Sequence, residues 1–241
     1  MEIITATALS SQQKELVQEL FRACREFEGM TLTFPAEDGD FFVLCMENGT
    51  LASALALYYL EPHLYECTAA TRPDMRKQGY FSKALAQAEL HFPNSDFSFV
   101  TDGRCPASAF VLKKLNARFW YNEHMMTLEL SQWQPPVCAL PSSFSMTVDE
   151  SGKFTAFAQD REIGVCFVTP LGGGVYFYGM EIRAPFRGRG YGKAFFLQVL
   201  KSLQENTSTV TLQVSGNNTV ALNLYKKTGF RITETLSYYL Y

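Results

Sequence analysis

The feature that most constrains the fold of this 241-residue chain is an internal repeat. The segment Arg76–Tyr80 reads RKQGY, and 111 residues later Arg187–Tyr191 reads RGRGY. Further along each half, VLKKL at 111–115 corresponds to LYKKT at 224–228. A pattern that recurs at nearly the same offset predicts two copies of one domain.

Each half has the same order of predicted elements: three strands, a helix, a strand, a second helix and a last strand. The first half begins with an additional strand, MEIITAT, and a helix that Ser10 or Ser11 caps. Between the halves, SQWQPPVCALPSS has the proline and polar content of a linker. We therefore predict an α/β (α+β) protein with an N-terminal domain at 1–130, a linker at 131–145 and a C-terminal domain at 146–241.

The composition indicates a globular protein, with 47% hydrophobic residues, a net charge of -3 and a pI of about 5.7. This mild acidity argues against a nucleic-acid partner. The longest apolar-rich run, LASALALYYL, is too short to span a bilayer, and the N-terminus lacks the basic segment of a signal peptide. The cysteines are widely spaced and form no C-x-x-C pair, so we expect no metal site. These features predict a cytoplasmic protein without a membrane or nucleic-acid partner.

The second copy of the repeat carries glycines at positions 188, 190 and 192 and continues directly into a helix-periodic stretch. A helix start exposes N–H groups and partial positive charge, and glycines let the main chain approach an anion closely. Arg187, Arg189 and Lys193 add positive charge. The pattern is not a P-loop, because Ala194 stands where Ser or Thr is needed, nor a dinucleotide fingerprint, which needs glycine at Lys193. The alternative to an anion site is a glycine-rich turn with solvated basic side chains.

Two linked motifs in the second half resemble those of a known family. Arg187-x-x-Gly190-x-Gly192 matches the Arg/Gln-x-x-Gly-x-Gly/Ala signature of the GCN5-related N-acetyltransferases (GNATs). The downstream sequence NNTVALNLYKKTGF, from 217 to 230, is similar to the family's second conserved element. The resemblance implies two tandem GNAT-like domains, each with a mixed, mostly antiparallel twisted sheet flanked by helices. It also implies that the strand before the glycines splays away from its neighbour.

The resemblance further implies that the anion is the pyrophosphate of acetyl-CoA, the cosubstrate, held by main-chain N–H groups. The strand that ends at Glu181-Ile182-Arg183 is expected to pair with the pantetheine arm as an added strand would. Asn218 either contacts the cosubstrate or only caps the later helix. The predicted acetyl-CoA-binding residues are Ile182, Arg183, Arg187, Gly188, Arg189, Gly190, Tyr191, Gly192, Lys193 and Asn218.

Acetyl transfer to an amine requires a neutral amine and a proton for the departing thiolate. Tyr225 matches the position of the family's usual proton donor, and its alternative role is that of a core aromatic residue. Glu181 is the candidate general base, acting directly or through water. Its alternative role is that of a solvated glutamate at a strand end.

The first half departs from the family pattern at two places. Phe81 stands where the signature has Gly or Ala, and Leu112 stands roughly where Tyr225 stands in the second half. Leucine cannot donate a proton, so we expect the first copy to be degenerate in catalysis. The sequence leaves open whether this copy binds an acyl-CoA, binds no ligand or completes the acceptor site of the second copy.

The sequence therefore predicts an acetyl-CoA-dependent N-acetyltransferase that acts on a primary amine of a small molecule or peptide, with its working site in the C-terminal domain. The alternative is a noncatalytic acyl-CoA-binding or regulatory module. Tyr176, Phe177 and Tyr178 either line a pocket for the amine through cation–π contacts or are core and sheet-face residues. The sequence predicts neither the identity of the acceptor nor the oligomeric state.

Overall fold

The structure is a computed structural model that describes residues 1–138 and 143–241. Residues 139–142, which belong to the predicted linker, lie outside the described residues. The chain divides into two compact units. The first unit contains residues 1–121 together with 236–241, and the second contains residues 122–235.

The elements of the first half are β1 (Glu2–Ala6), α1 (Ser11–Glu28), β2 (Phe41–Glu47), β3 (Thr50–Glu61), β4 (Leu64–Thr71), α2 (Tyr80–His91), β5 (Asp96–Thr101), α3 (Pro106–Lys114) and β6 (Arg118–Glu129). Those of the second half are β7 (Phe144–Val148), β8 (Lys153–Ala158), β9 (Arg161–Leu171), β10 (Gly174–Ile182), α4 (Tyr191–Leu203), β11 (Thr209–Ser215), α5 (Thr219–Thr228) and β12 (Arg231–Leu240). Short 3₁₀ turns at Pro73–Met75 and Ala184–Phe186 precede α2 and α4. The two halves thus share the predicted order of elements.

Helix α1 begins and ends where local sequence signals place it. The backbone N–H of Gln13 donates to the Ser10 hydroxyl over 3.3 Å, and the backbone N–H of Ser10 donates to Gln13 Oε1 over 2.8 Å. This capping box satisfies two N–H groups at the helix start. Gly29, with φ of 70°, ends the helix in the left-handed conformation.

The sheet of the first unit has helices on both faces. Its strand order is β1-β2-β3-β4-β5-β12, with β4 and β5 parallel and the other neighbours antiparallel. Alternate residues of β2 belong to different cores: Phe41 packs in a cluster with residues of α2 and α3, and Phe42 packs in a cluster with residues of α1. The alternation follows from the two-residue period of a strand.

The second unit has one main core, formed by its strands with α4 and α5. The strand order is β6-β11-β10-β9-β8-β7, with β10 and β11 parallel. Among its described residues no helix precedes β8, so this unit has no counterpart of α1. The mixed, mostly antiparallel sheets flanked by helices confirm the predicted fold class.

The compact units differ from the predicted contiguous stretches 1–130 and 146–241. Strand β6 ends the first half, but its residues Glu123–Glu129 pair with β11 in the second unit. Strand β12 ends the second half, but its residues Ser237–Leu240 pair with β5 in the first unit. Each half therefore gives its last strand to the other unit, which the order of elements does not reveal.

Candidate active site

The glycine loop of the second half, defined as residues 187–192, leads into α4. Gly190 is the N-cap of this helix in a left-handed conformation, and no side chain caps the helix. The first helical bond runs from the Ala194 N–H to the Gly190 carbonyl over 3.1 Å. The N–H groups at the helix start therefore have no acceptor within the helix. A Cβ placed on Gly188 or Gly190 would meet no atom within 4 Å, so the space beside the loop is open to an anion.

The Arg187 side chain ties this loop to the end of β10. Its Nε donates to the Ile182 carbonyl over 2.6 Å, and its Nη2 lies 3.2 Å from Glu181 Oε1. The two charged side chains are 60% and 68% exposed, so their ion pair is well screened. The guanidinium therefore has a role in holding the loop, and the main-chain N–H groups are the better-placed anion ligands.

The other predicted acetyl-CoA-binding side chains around the loop differ in their contacts. Arg183 Nη2 donates to Glu162 Oε1 over 2.5 Å, and this bond holds the pKa of Glu162 below its usual value. Arg189 and Lys193 are exposed. Tyr191 packs its ring against Phe186 at 6.0 Å, which fixes the first turn of α4 on the preceding 3₁₀ turn.

Strands β10 and β11 separate just before the loop. Their parallel ladder covers only Val175–Phe177 against Val210–Leu212. Beyond Phe177, β10 pairs with β9 alone, and β11 pairs with β6 alone. The main-chain groups on the β11 side of β10 are therefore available to a ligand that adds as a strand.

A β-bulge lies in β10 where the strands separate. Tyr178 pairs with Phe167 and Glu181 pairs with Val165, so two residues of β10, Gly179 and Met180, oppose a single residue of β9. Gly179 has φ of 62°, and a Cβ there would come within 2.9 Å of the Phe167 ring. A bulge bends a strand and redirects its main-chain groups.

Tyr225 lies on α5 and is 8% exposed. Its ring centroid is 5.0 Å from that of Phe196, which is 5.1 Å from that of Phe177, the last residue of the β10–β11 ladder. Burial and, to a lesser extent, the neighbouring Cys166 raise the pKa of Tyr225 to about 12. The phenol therefore keeps its proton at neutral pH and is packed near the point where the strands separate.

Asn218 is the N-cap of α5. Its Oδ1 accepts a hydrogen bond from the Ala221 N–H over 3.1 Å. The capping role considered for this residue is thus present in the structure. Its proposed contact with the cosubstrate stays a prediction.

The three aromatic residues of β10 lie on different faces. Phe177 is buried in the core. On the opposite face Tyr178 stacks on Phe167, with centroids 5.4 Å apart, and on Tyr176, with centroids 5.8 Å apart. Tyr178 is 45% exposed. The core role therefore applies to Phe177 and the sheet-face role to the two tyrosines.

The first unit contains a loop of the same backbone form, which we call the counterpart loop, residues 76–81. Lys77 and Gly79 have φ of 63° and 86°, close to the 73° and 84° of Gly188 and Gly190. Arg76 Nε donates to the carbonyl of Thr71 over 3.1 Å, as Arg187 does to the carbonyl five residues before it. The Arg76 guanidinium also binds both Glu28 carboxylate oxygens, at 2.9 and 2.6 Å.

Three features distinguish the first unit. The Phe81 ring packs against Phe99, with centroids 6.1 Å apart, at the last residue pair of the β4–β5 ladder. Strand β4 pairs regularly with β3 from Tyr65 to Thr71, with no bulge beside the loop. Leu112 occupies the Tyr225 position, since its carbonyl accepts from the Ala117 N–H just as the Tyr225 carbonyl accepts from the N–H five residues later.

Two further observations concern the described residues only. No group of three or more His, Cys, Asp or Glu side chains is arranged to hold a metal ion. No described helix combines the length and apolar character needed to cross a bilayer.

Solved structures of acetyltransferases have the same fold as this chain. A GCN5-related N-acetyltransferase from Sphaerobacter thermophilus superposes with a TM-score of 0.75 at 15% identity, covering 99% of this chain and 95% of that one. A tandem GNAT protein from the clavulanic acid biosynthesis pathway gives 0.69 at 14% identity, covering 100% and 98%. A GNAT-family acetyltransferase from Colwellia psychrerythraea gives 0.64 at 10% identity, covering both chains fully at 100%.

Sequence models of protein families match both halves. The model described as acetyltransferase (GNAT) family matches residues 11–105, and the model described as FR47-like protein matches residues 162–239. No curated protein sequence matches the chain. Residues 11–105 are thus similar to the GNAT family, whose members use acetyl-CoA as cosubstrate and transfer its acetyl group to amines, and the chain has the fold of solved GNAT structures.

Sequence reasoning missed two elements of this site. The first is the bulge at Gly179 and Met180, which the sequence could have indicated, because an isolated glycine inside a strand pattern often marks a bulge. The hydrogen bond from Arg187 Nε to the Ile182 carbonyl could not be predicted from the sequence. An arginine before a glycine-rich turn is equally compatible with a side chain that points into solvent and with one that binds a ligand.

Proposed function

We propose that the protein is an acetyl-CoA-dependent N-acetyltransferase whose working site lies in the second unit. The observation that carries the proposal is the combination, within one unit, of a bulged strand that leaves its neighbour and an uncapped helix start directly after it. This combination offers main-chain donors for the pyrophosphate and a free strand side for the pantetheine arm. The first unit has the same loop but neither the bulge nor the tyrosine.

In the proposed reaction the neutral amine attacks the carbonyl carbon of the thioester. A C–N bond forms, the C–S bond breaks, the amine nitrogen loses a proton to a base or water, and the sulfur gains one. Tyr225 is the proposed proton donor to the sulfur. The Tyr225 phenol has a pKa of about 12, whereas an ordinary thiol has a pKa of about 8.5. The phenolate is therefore a stronger base than the departing thiolate. The hydroxyl therefore first stabilises the charge that develops on the sulfur by a hydrogen bond, and any proton that it gives to the sulfur is replaced by the proton released from the amine through the base or solvent.

Glu181 remains our candidate for the base. Its carboxylate pairs with Arg187 over 3.2 Å, so the pair must open or act through water to take the amine proton. An exposed ion pair is worth only about 0–1 kcal/mol, so opening it is a small cost.

The first unit is proposed to be inactive in this reaction. Gly192 in the glycine loop carries no side chain, and a Cβ placed there would already contact Ile182 at 3.5 Å, whereas Phe81 fills the equivalent position with a ring. We infer that this ring obstructs the arm of acyl-CoA where β4 and β5 separate. Leu112 has no proton to give.

Gly190→Val and Gly79→Val form a matched pair of variants that tests the proposal. Each places a branched side chain at an open, left-handed helix N-cap, so the backbone strain is similar. The measurement is thiol release from acetyl-CoA across a panel of primary amines, with thermal unfolding as a check on folding. We expect Gly190→Val to lose acetyl-CoA binding and turnover, because the side chain blocks the pyrophosphate, and Gly79→Val to keep both.

The reverse result, loss of activity only in Gly79→Val, would assign the working site to the first unit. A wild-type protein that binds acetyl-CoA but releases thiol with none of the amines would be a noncatalytic acyl-CoA-binding module instead.

A further inference from the structure

The bulge of β10 lies against the ring of Phe167, a half-buried residue of β9. A Cβ built on Gly179 would lie 2.9 Å from Phe167 Cδ2 and 3.3 Å from its Cε2. Carbon atoms in contact are about 3.5–4.0 Å apart, so the ring occupies the space that a larger residue at position 179 would need. Gly179 also has φ of 62°, which favours glycine. The ring and the glycine therefore fit each other at the point where the strand bends.

The Phe167 ring is held in place by a second ring. Tyr178, the residue before the bulge, stacks on it with centroids 5.4 Å apart and planes inclined by 23°. Tyr178 in turn stacks on Tyr176, with centroids 5.8 Å apart and planes inclined by 19°. Tyr176 belongs to the part of β10 that pairs with β11. The stack therefore joins β9 to the regular part of β10, and Phe167 cannot turn away from the bulge without losing this contact.

The first unit lacks both the ring and the bulge. Phe167 pairs with Tyr178, the residue after the last β10–β11 pair. The corresponding pair of the first unit is Ala56 with Thr68, the residue after the last β4–β5 pair. Ala56 is 1% exposed and packs in the cluster that contains residues of α1. The second unit has no counterpart of α1 among its described residues, so a large side chain has room at this position.

The bulge adds one residue between the ladder and the signature arginine. Nine positions separate Cys67 from Arg76, whereas ten separate Phe177 from Arg187. The extra residue of a bulge is left without a partner in the ladder. Its main-chain groups are therefore available to a ligand that lies beside the strand.

We propose that Phe167 is a positioning residue for acetyl-CoA, because its ring fixes the bulge of β10 in the form that presents main-chain groups to the pantetheine arm. The inference rests on the proposed function, since it takes the gap between β10 and β11 as the acetyl-CoA site. Without the ring, Gly179 is free to leave the left-handed conformation. Binding of the arm must then restore the bulge, and this ordering lowers the affinity.

Three variants test the role of the ring. Phe167→Val suits a strand but has no side-chain atom beyond Cγ to contact Gly179. Phe167→Tyr keeps the ring. Phe157→Val is the matched control, because it removes a half-buried ring from β8, which β9 separates from β10. Binding of CoA, which has no acetyl group to transfer, is measured by calorimetry, and turnover by thiol release from acetyl-CoA.

We expect Phe167→Val to weaken CoA binding and to raise the KM for acetyl-CoA about tenfold, with kcat changed by less than about threefold. The split follows because Phe167 acts on the arm and not on the reacting atoms. Phe167→Tyr and Phe157→Val should bind CoA within about twofold of the wild type. Amide hydrogen exchange at residues 179–181 of the unliganded protein should be faster in Phe167→Val than in these two variants.

Gly179→Ala provides an independent check, because the added Cβ displaces the ring. It should weaken CoA binding by itself. Combined with Phe167→Val it should cause little further loss, since the ring that clashes is gone. The two losses would multiply if the residues acted independently.

The proposal is overturned if Phe167→Val binds CoA as tightly as the wild type or shows unchanged exchange at 179–181. It is also overturned if Phe157→Val loses as much affinity, or if the losses multiply in the double variant. A wild type that binds no CoA would contradict the proposed function, and the positioning role with it.

Discussion

Two buried serines of the first unit show how differently single polar residues contribute to stability. Ser53 and Ser98 are both 0% exposed. The Ser53 hydroxyl bonds the Ala70 carbonyl and the Thr71 hydroxyl, each over 3.0 Å. The Ser98 hydroxyl has no partner among the described residues. A buried hydroxyl without a partner costs free energy, whereas a bonded one contributes to stability.

We therefore predict opposite effects for the same substitution. Ser98→Ala should leave the free energy of unfolding unchanged or raise it by up to about 1 kcal/mol, because an unsatisfied group is removed. Ser53→Ala should lower it by about 1–2 kcal/mol, because its bonded partners lose a hydrogen bond. Urea unfolding of the two variants beside the wild type measures both effects. A loss for Ser98→Ala as large as that for Ser53→Ala would show that Ser98 has a partner.

Sequence reasoning predicted single site residues where a motif fixes the backbone. The glycine pattern predicted a loop that leads directly into a helix, and in the structure Gly190 is the N-cap of α4. Side-chain roles were less predictable. Arg187 matches a signature position, yet its Nε is bound to the Ile182 carbonyl, and only the fold brings that carbonyl within reach.

At the scale of elements, the two loops differ chiefly at their third signature position. Phe81→Ala restores a small residue in the counterpart loop, where the signature has Gly or Ala. If the ring obstructs acyl-CoA in the first unit, the wild type should bind one acetyl-CoA per chain. The variant should then bind a second one, more weakly, because β4 lacks the bulge of β10. Calorimetric stoichiometry measures this directly.

Phe110→Ala is the matched control, since Phe110 is a 70% exposed phenylalanine on a helix of the same unit. It should leave the stoichiometry at one. Two bound acetyl-CoA molecules in the wild type would contradict the proposed asymmetry, and a stoichiometry of one in Phe81→Ala would show that the ring is not what closes the first site.

The order and type of the elements were predictable from periodicity and turn residues, but their irregularities were not. GVYFYGMEI reads as one continuous strand, although β10 is bulged and leaves β11 after Phe177. These details depend on which strands lie on each side, and hence on pairings between segments far apart in the sequence.

At the scale of the whole molecule, the exchange of last strands makes the first unit depend on the end of the chain. Ser237–Leu240 pair with β5, and Tyr241 exchanges two backbone hydrogen bonds with Phe97, over 2.8 and 3.0 Å. Tyr238 also stacks on Tyr121, with centroids 4.5 Å apart. The duplication itself was predictable from the sequence, but this exchange was not, because either connection keeps the same order of elements.

We predict that replacing residues 237–241 with a serine–glycine segment of equal length destabilises the first unit by several kcal/mol. The replacement removes a β-ladder and the buried ring of Tyr238, and full burial of a large apolar side chain contributes about 1.5–3 kcal/mol. Amide hydrogen exchange should show lost protection in β5 first. Unchanged protection of β5 would mean that the C-terminal residues do not complete this sheet in solution.

Turnover of Tyr225→Phe at saturating acetyl-CoA and amine tests directly whether Tyr225 is the proton donor of the second unit. The substitution keeps the ring that packs on Phe196, so folding and acetyl-CoA affinity should be preserved. We expect kcat to fall on the order of 10²-fold, because the departing sulfur loses the proton donor that we propose. Tyr65→Phe, which removes a tyrosine hydroxyl from the first unit, should keep full activity.

Burial raises the pKa of Tyr225 to about 12, so the phenol stays protonated well above neutral pH. Wild-type kcat should therefore not fall through ionisation of Tyr225 between about pH 7 and 10. We predict a roughly hundredfold loss of kcat in Tyr225→Phe but not in Tyr65→Phe, with unchanged acetyl-CoA affinity in both. Full activity in Tyr225→Phe would contradict this prediction.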